Sequence, residues 1–174
     1  PVFGGGTPVQ SASTDKTVTV DSNLDESGAV FYVLVADGEA DASPPTVANI
    51  LAGTAGAATA IETGRIDILV PNTIVSSVIG ESLEHSSVFD LFVVAVDENA
   101  IPNVQAAYTH IEVSTGPDVT APSFLGGTPA AVNIRDERFT INIHTDEDAT
   151  CVVVMLPDGV VDPTGAEVAA STGA

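Results

Sequence analysis

The chain repeats itself. Pro1-Val2-Phe3-Gly4-Gly5-Gly6-Thr7-Pro8 recurs as Pro122-Ser123-Phe124-Leu125-Gly126-Gly127-Thr128-Pro129, an offset of 122 − 1 = 121 residues. The match runs without a gap to Asp41 and Asp162, and 14 of these 41 positions are identical. Asp15 falls on Asp136, Asp25-Glu26 on Asp146-Glu147, and Asp37-Gly38 on Asp158-Gly159. After a small gap, Pro45-Thr46 resembles Pro163-Thr164. A fixed period of this kind constrains the fold strongly, because one structural unit must serve each copy. Residues 1–121 read as one complete unit. Residues 122–174 read as the N-terminal part of a second, with counterparts of its first three strands and a short helix and nothing beyond. The expectation is a piece of a longer tandem array.

Within the unit the apolar period is two, the mark of half-buried strands. Thr17-Val18-Thr19-Val20-Asp21 alternates, and Phe139-Thr140-Ile141-Asn142-Ile143 alternates in the same phase. Residues 29–36 (AVFYVLVA) are apolar on both faces and rich in β-branched and aromatic side chains, as a central strand requires. Their copy is Cys151 to Leu156. Residues 73–79, 88–96 and 106–114 complete the strand set, separated by Gly, Pro, Asn and Asp clusters. Ser43 to Gly53 departs from the alternation and reads as a short helix, with Val47, Ile50 and Leu51 on one face and a closing glycine. Residues 53–63 read as an irregular crossover. The class is all-β, and strands spaced by turn signals over about 100 residues imply two antiparallel sheets packed as a sandwich. Its expected core holds Val18, Val20, Val33 or its strand neighbours, Phe89, Leu91, Val93, Ile111 and Val113.

Leu83 followed by Phe89, and then the run ending Ala95-Val96-Asp97, resembles the corner and sixth strand of fibronectin type III domains, which are immunoglobulin-like β-sandwiches. The run ending Val113-Ser114-Thr115 resembles their last strand. Residues 118–124 (DVTAPSF) resemble linkers between such domains in extracellular and bacterial surface proteins. Phe89 stands where the family usually has a tyrosine, and the excess length sits at 42–72, around the helix. Asp97 and Ala121-Pro122-Ser123-Phe124 also resemble cadherin repeats, whose linkers bind calcium. That second resemblance makes Asp97, Glu98, Asn99 and Asp118 the calcium candidates. They are few, since calcium takes six to eight oxygens. No cofactor is expected otherwise.

Charge and composition narrow the function. The chain carries 24 acidic against 4 basic residues, a net charge of −20. This excludes a nucleic-acid binder, which needs a basic stripe to displace phosphate counterions. No apolar run reaches the roughly 18 residues of a membrane span, so membrane insertion is not expected. Cys151 is the one cysteine, which rules out an internal disulfide; in core phase with Val30, it is expected to be buried and inert. Asp25-Glu26 and Asp146-Glu147-Asp148 read as turns whose carboxylates accept backbone N–H groups. His85, Ser86, Ser87 and Asp90 carry no nucleophile-elbow pattern, and Asp90 and His110 are expected on solvent faces. No enzyme activity is expected. The expected role is an extracellular or cell-surface structural module, a semi-rigid spacer or building block of a long surface protein or fibre. Its partners would be neighbouring repeats or identical subunits, joined through stretches carrying Pro117 and Pro122. The alternative is an adhesive or carbohydrate-binding accessory module, with Tyr108 as the one aromatic available for a sugar.

Overall fold

The structure, a computed structural model, describes residues 1–170 and divides the chain into two compact units, Pro1–Val119 and Thr120–Ala174. Both are β-rich and antiparallel. Unit one contains β1 (Val9–Ser13), β2 (Val18–Ser22), β3 (Gly28–Ala36), α1 (Val47–Leu51), β4 (Glu62–Ile68), β5 (Val75–Ile79), β6 (Val88–Asp97) and β7 (Thr109–Ser114). They form a three-stranded sheet in the order β1-β2-β5 and a four-stranded sheet in the order β4-β3-β6-β7.

The two sheets share one apolar cluster. Val18, Val20 and Ile79 from the smaller sheet meet Val30, Leu34, Ile68, Phe89, Leu91, Val93 and Val113 from the larger. Alternation supplies these contacts, since every second side chain on a strand faces the same way. Ile111 packs against the cluster from a partly buried position. Val33 is buried on the opposite face, in a second cluster with Val35, Ile50, Phe92 and Val94. The unbroken apolar run of β3 therefore serves two cores, one on each face. Ile50 of α1, with Ala40 and Ala55 from the flanking loops, covers the outer face of β3 and β6. Within 42–72, α1 and the loop after it form this cover. Thr46 caps α1 by accepting from the Asn49 backbone, while the Asn49 side chain accepts from the Thr46 backbone N–H, a reciprocal cap of the kind that sets short helices.

Two strands, β1 and β4, lie outside the ranges read from the sequence. Residues 62–68, of which only 62–63 fell in the expected crossover, form β4 and pair along the edge of β3 from Gly28↔Ile68 to Leu34↔Glu62.

Unit two holds β8 (Ala130–Arg135), β9 (Arg138–Asn142) and α2 (Gly165–Ala170). Its opening repeats the hydrogen bonds of unit one. Thr7 Oγ1 donates to the Gly4 carbonyl at 2.8 Å, and Thr128 Oγ1 to the Leu125 carbonyl at 2.8 Å. The Asn23 N–H donates to Thr7 Oγ1 at 3.0 Å, and the His144 N–H to Thr128 Oγ1 at 3.0 Å. Asp25 accepts from the Val2 N–H at 2.7 Å, and Asp146 from the Ser123 N–H at 2.8 Å. Thr7-Pro8 and Thr128-Pro129 are both cis.

The rest of unit two differs from its counterpart. Residues 151–156 form no strand, and Cys151 is exposed rather than buried. The reason is physical: β3 is held by β4 on one side and β6 on the other, and the described residues of unit two supply neither. Phe139, Ile143, Val154 and Leu156 are exposed accordingly.

Candidate functional site

The outer face of the four-stranded sheet carries one buried carboxylate. Asp90 lies on β6 between two apolar neighbours, and its alternation places it under the helix side rather than in solvent. It is 3% exposed. One carboxylate oxygen accepts from the Gly38 N–H at 3.1 Å, and the other lies 2.7 Å from His110 Nε2 on the neighbouring strand β7. The His110 ring stacks on Phe92, with centroids 4.7 Å apart, and Phe92 meets Tyr108 edge-on at 5.3 Å. The expectation that Asp90 faces solvent is thus corrected. The register Asp90↔Glu112 and Phe92↔His110 sets this diagonal pair, and the Gly38 turn closes over it. His110 is exposed, as expected. Tyr108 packs against the helix-side cluster, so it is a packing residue and not a free aromatic platform.

At the end of β6, Asp97 is 5% exposed and organises the following loop. Oδ1 accepts from the backbone N–H groups of Asn99 at 3.3 Å and Asn103 at 2.8 Å. Oδ2 accepts from both side-chain amides at 2.7 Å. Burial pushes the carboxyl up, and the hydrogen bonds from Asn103 and then Asn99 outweigh it, holding the group down at about 2. Of the calcium candidates, the structure therefore brings Asp97 and Asn99 together, with Asn99 as a donor and not as an oxygen ligand. Glu98 is exposed beside them, and Asp118 is half-buried near the end of the unit. Among the described residues no group of three or more His, Cys, Asp or Glu side chains is placed to hold a metal ion.

Beside Asp97, Glu98 and Asn99 runs a groove of about 530 Å³ floored by Phe31 and Val96 and edged by Arg65. The Arg65 guanidinium lies over the Phe31 ring at 5.7 Å and is paired with Asp67 at 2.7 Å. Sequence reasoning missed Arg65 because it sits on β4. The alternation of Arg65, Ile66, Asp67 and Ile68 was the available signal.

Other polar groups tie the sheets. Tyr32 donates to Glu62 Oε1 at 2.8 Å, and Glu62 Oε2 accepts from the Gly80 N–H at 2.7 Å, joining β3 and β4 to the end of β5. Burial first, and the Glu62 carboxylate second, push the Tyr32 phenol well above its ordinary value. Ser87 Oγ donates to the His85 carbonyl and its N–H to Thr115 Oγ1, so that loop fastens the end of β7. No helix among the described residues is long and apolar enough to cross a membrane, which leaves β-barrels unaddressed. None of the protein-family models, curated proteins or solved structures compared with the chain matches it.

Proposed function

We propose that the chain is built from tandem β-sandwich modules similar to fibronectin type III domains and serves as an extracellular spacer or fibre building block. The observation that carries this reading is the hydrogen-bonded frame of residues 2–25, repeated 121 residues later. The strand orders support it as well. The β4-β3-β6-β7 sheet matches an immunoglobulin-like sheet of three strands extended by one edge strand, opposite a three-stranded partner. Asp90, Asp97, Glu62 and Thr115 are engaged in holding turns and edges, as in a module whose task is shape. A net charge of −20 keeps crowded copies apart through self-repulsion. Electron microscopy of the native material tests the proposal. Thin rods with a regular axial beading are expected; compact particles with no linear periodicity would contradict it.

The groove over Phe31 and Arg65 favours a second reading, an adhesive or carbohydrate-binding module. Its test is chemical-shift mapping of unit one against a panel of acidic and neutral oligosaccharides, with saturable shifts at Phe31 and Arg65 as the supporting result.

A further inference from the structure

Unit one has four edge strands, and three of them are guarded. β4 carries Glu62, Arg65 and Asp67, and β7 carries His110 and Glu112. β1 is interrupted by a bulge between Gln10 and Ala12. The Gln10 amide then ties β1 to β7, donating to the Ser114 carbonyl and accepting from the Ser114 N–H, both at 2.8 Å. Charges and bulges of this kind keep sheet edges from pairing with other chains. β5 has no such guard. Among the described residues it pairs with β2 alone, so alternate backbone N–H and C=O groups along its other edge have no strand beside them. From residue 68 to residue 80 the sequence ILVPNTIVSSVIG holds no charged side chain. Its apolar side chains are also out in solvent: Leu69 is 71% exposed, Val70 60%, Ile74 54% and Val78 66%.

We propose that the free edge of β5 is a self-association surface, on which a second copy of this chain adds its own β5 antiparallel across a two-fold axis at Ser77. The occupant follows from charge and from symmetry. A partner drawn by the net charge of −20 is basic and seeks carboxylates; the β5 edge offers it none. A second copy is repelled wherever acidic faces meet, and at this edge its approach sets no like charges opposite each other. Pairing about Ser77 sets that residue against its own copy, Ser76 against Val78 and Val75 against Ile79, and Glu81 beyond the strand faces Thr73. One strand in from the edge, Asp21 is held over its own sheet by Ser11 at 2.8 Å and Ser76 at 2.6 Å. The two β2 strands then lie three strand spacings apart, roughly 14 Å, beyond the screening length of ~8 Å at physiological salt. Two copies thereby join their β1-β2-β5 sheets into one. A pair of five-residue strands buries less than the roughly 1,000 Å² of a stable interface, so a single edge associates weakly. This inference goes beyond the spacer reading. It rests on the edges of unit one and not on rod formation, which microscopy of the native material judges separately.

The test places a cysteine on the two-fold axis. Directly opposite residues of an antiparallel pair have Cα atoms about 4.5–5.5 Å apart, within the span of a disulfide. Cys151 is the one native cysteine, so Cys151→Ser clears the background. In that 174-residue chain, Ser77→Cys is expected to oxidise to a linked dimer at least about 10-fold faster than Ser43→Cys, although Ser77 is half-buried and Ser43 exposed. Adding Val78→Asp, at a position already in solvent, is expected to remove the advantage. Dilution of the unaltered chain from about 2 mM to about 10 μM, followed by chemical shifts, gives an independent measurement. Signals of residues 74–79 are expected to move along one saturable curve, with association about threefold tighter or more in roughly 1 M salt, where self-repulsion is screened. Equal oxidation rates for Ser77→Cys and Ser43→Cys, with shifts at 74–79 that dilution leaves unchanged, would overturn the proposal. So would association that maps only to other edges or to unit two.

Discussion

A carboxylate out of water is tolerated where hydrogen bonds replace its hydration, and Asp97 meets that condition with four of them. Its folded-state value of about 2 lies below the ordinary 3.8. A depressed carboxyl contributes stability that is present above the ordinary value and is lost as pH falls through the folded one. Unit one is therefore expected to lose melting temperature between pH 4 and 2 in part through Asp97. Asp97→Asn should lower the melting temperature at neutral pH, because an amide N–H2 would face the donors of Asn99 and Asn103. It should also flatten the acid dependence in that window, and melting curves across pH compare the two proteins. With both Asp97 oxygens occupied, calcium has little to gain there. Melting with calcium and with chelator is expected to give the same temperature, and a rise of many degrees with calcium would contradict it. Sequence reading named Asp97 and Asn99 only as calcium candidates, not as a carboxylate and its donor. It did not find Asn103, which closes the loop, or the Asp90–His110 pair, which exists only once β6 and β7 are in register.

Strand pattern was legible wherever one face or both are fully buried. The alternation of β2 and the continuous run of β3 follow directly from the two cores they enter. An edge strand is harder to read. In β4 only Ile66 and Ile68 are buried, and Gly64 interrupts the pattern. That glycine has a packing reason, since a Cβ there would collide with the Tyr32 ring and hydroxyl. Gly64→Ala is expected to displace Tyr32 from Glu62 and to destabilise unit one by more than Tyr32→Phe does. Tyr32→Phe removes only the hydrogen bond to a charged acceptor, worth about 1.5–3 kcal/mol. At the centre of the larger sheet, Leu91 is 0% exposed and touches both sheets' cluster. Leu91→Ala is expected to cost about 2–5 kcal/mol through lost burial and the cavity left behind. Denaturant titration measures all three. The helix was visible from its turn and face, but its task was not. That β3 and β6 carry a second apolar face needing cover emerges only from the pairing of the two strands.

At the scale of the whole molecule, two units open with the same frame and diverge after it. Unit one encloses Val30, Leu34 and Leu91 between sheets; unit two presents the corresponding surface to solvent. The repeat made the shared frame legible. Misplacing Cys151 in a core came from assuming that a copied sequence carries its copied environment, when burial of that position depends on strands supplied by β4 and β6. The contrast is also an energetic one. Amides of β3 and β6 are expected to open only with global unfolding of unit one, whereas a two-stranded hairpin with one exposed face is marginal by itself. Residue-resolved hydrogen exchange on the 174-residue chain measures this directly. The expected result is that β3 and β6 amides exchange slowest and together, while those of residues 138–142 and 151–156 exchange orders of magnitude faster. Protection of residues 138–142 and 151–156 equal to that of β3 would contradict it, by showing that unit two closes a core of its own.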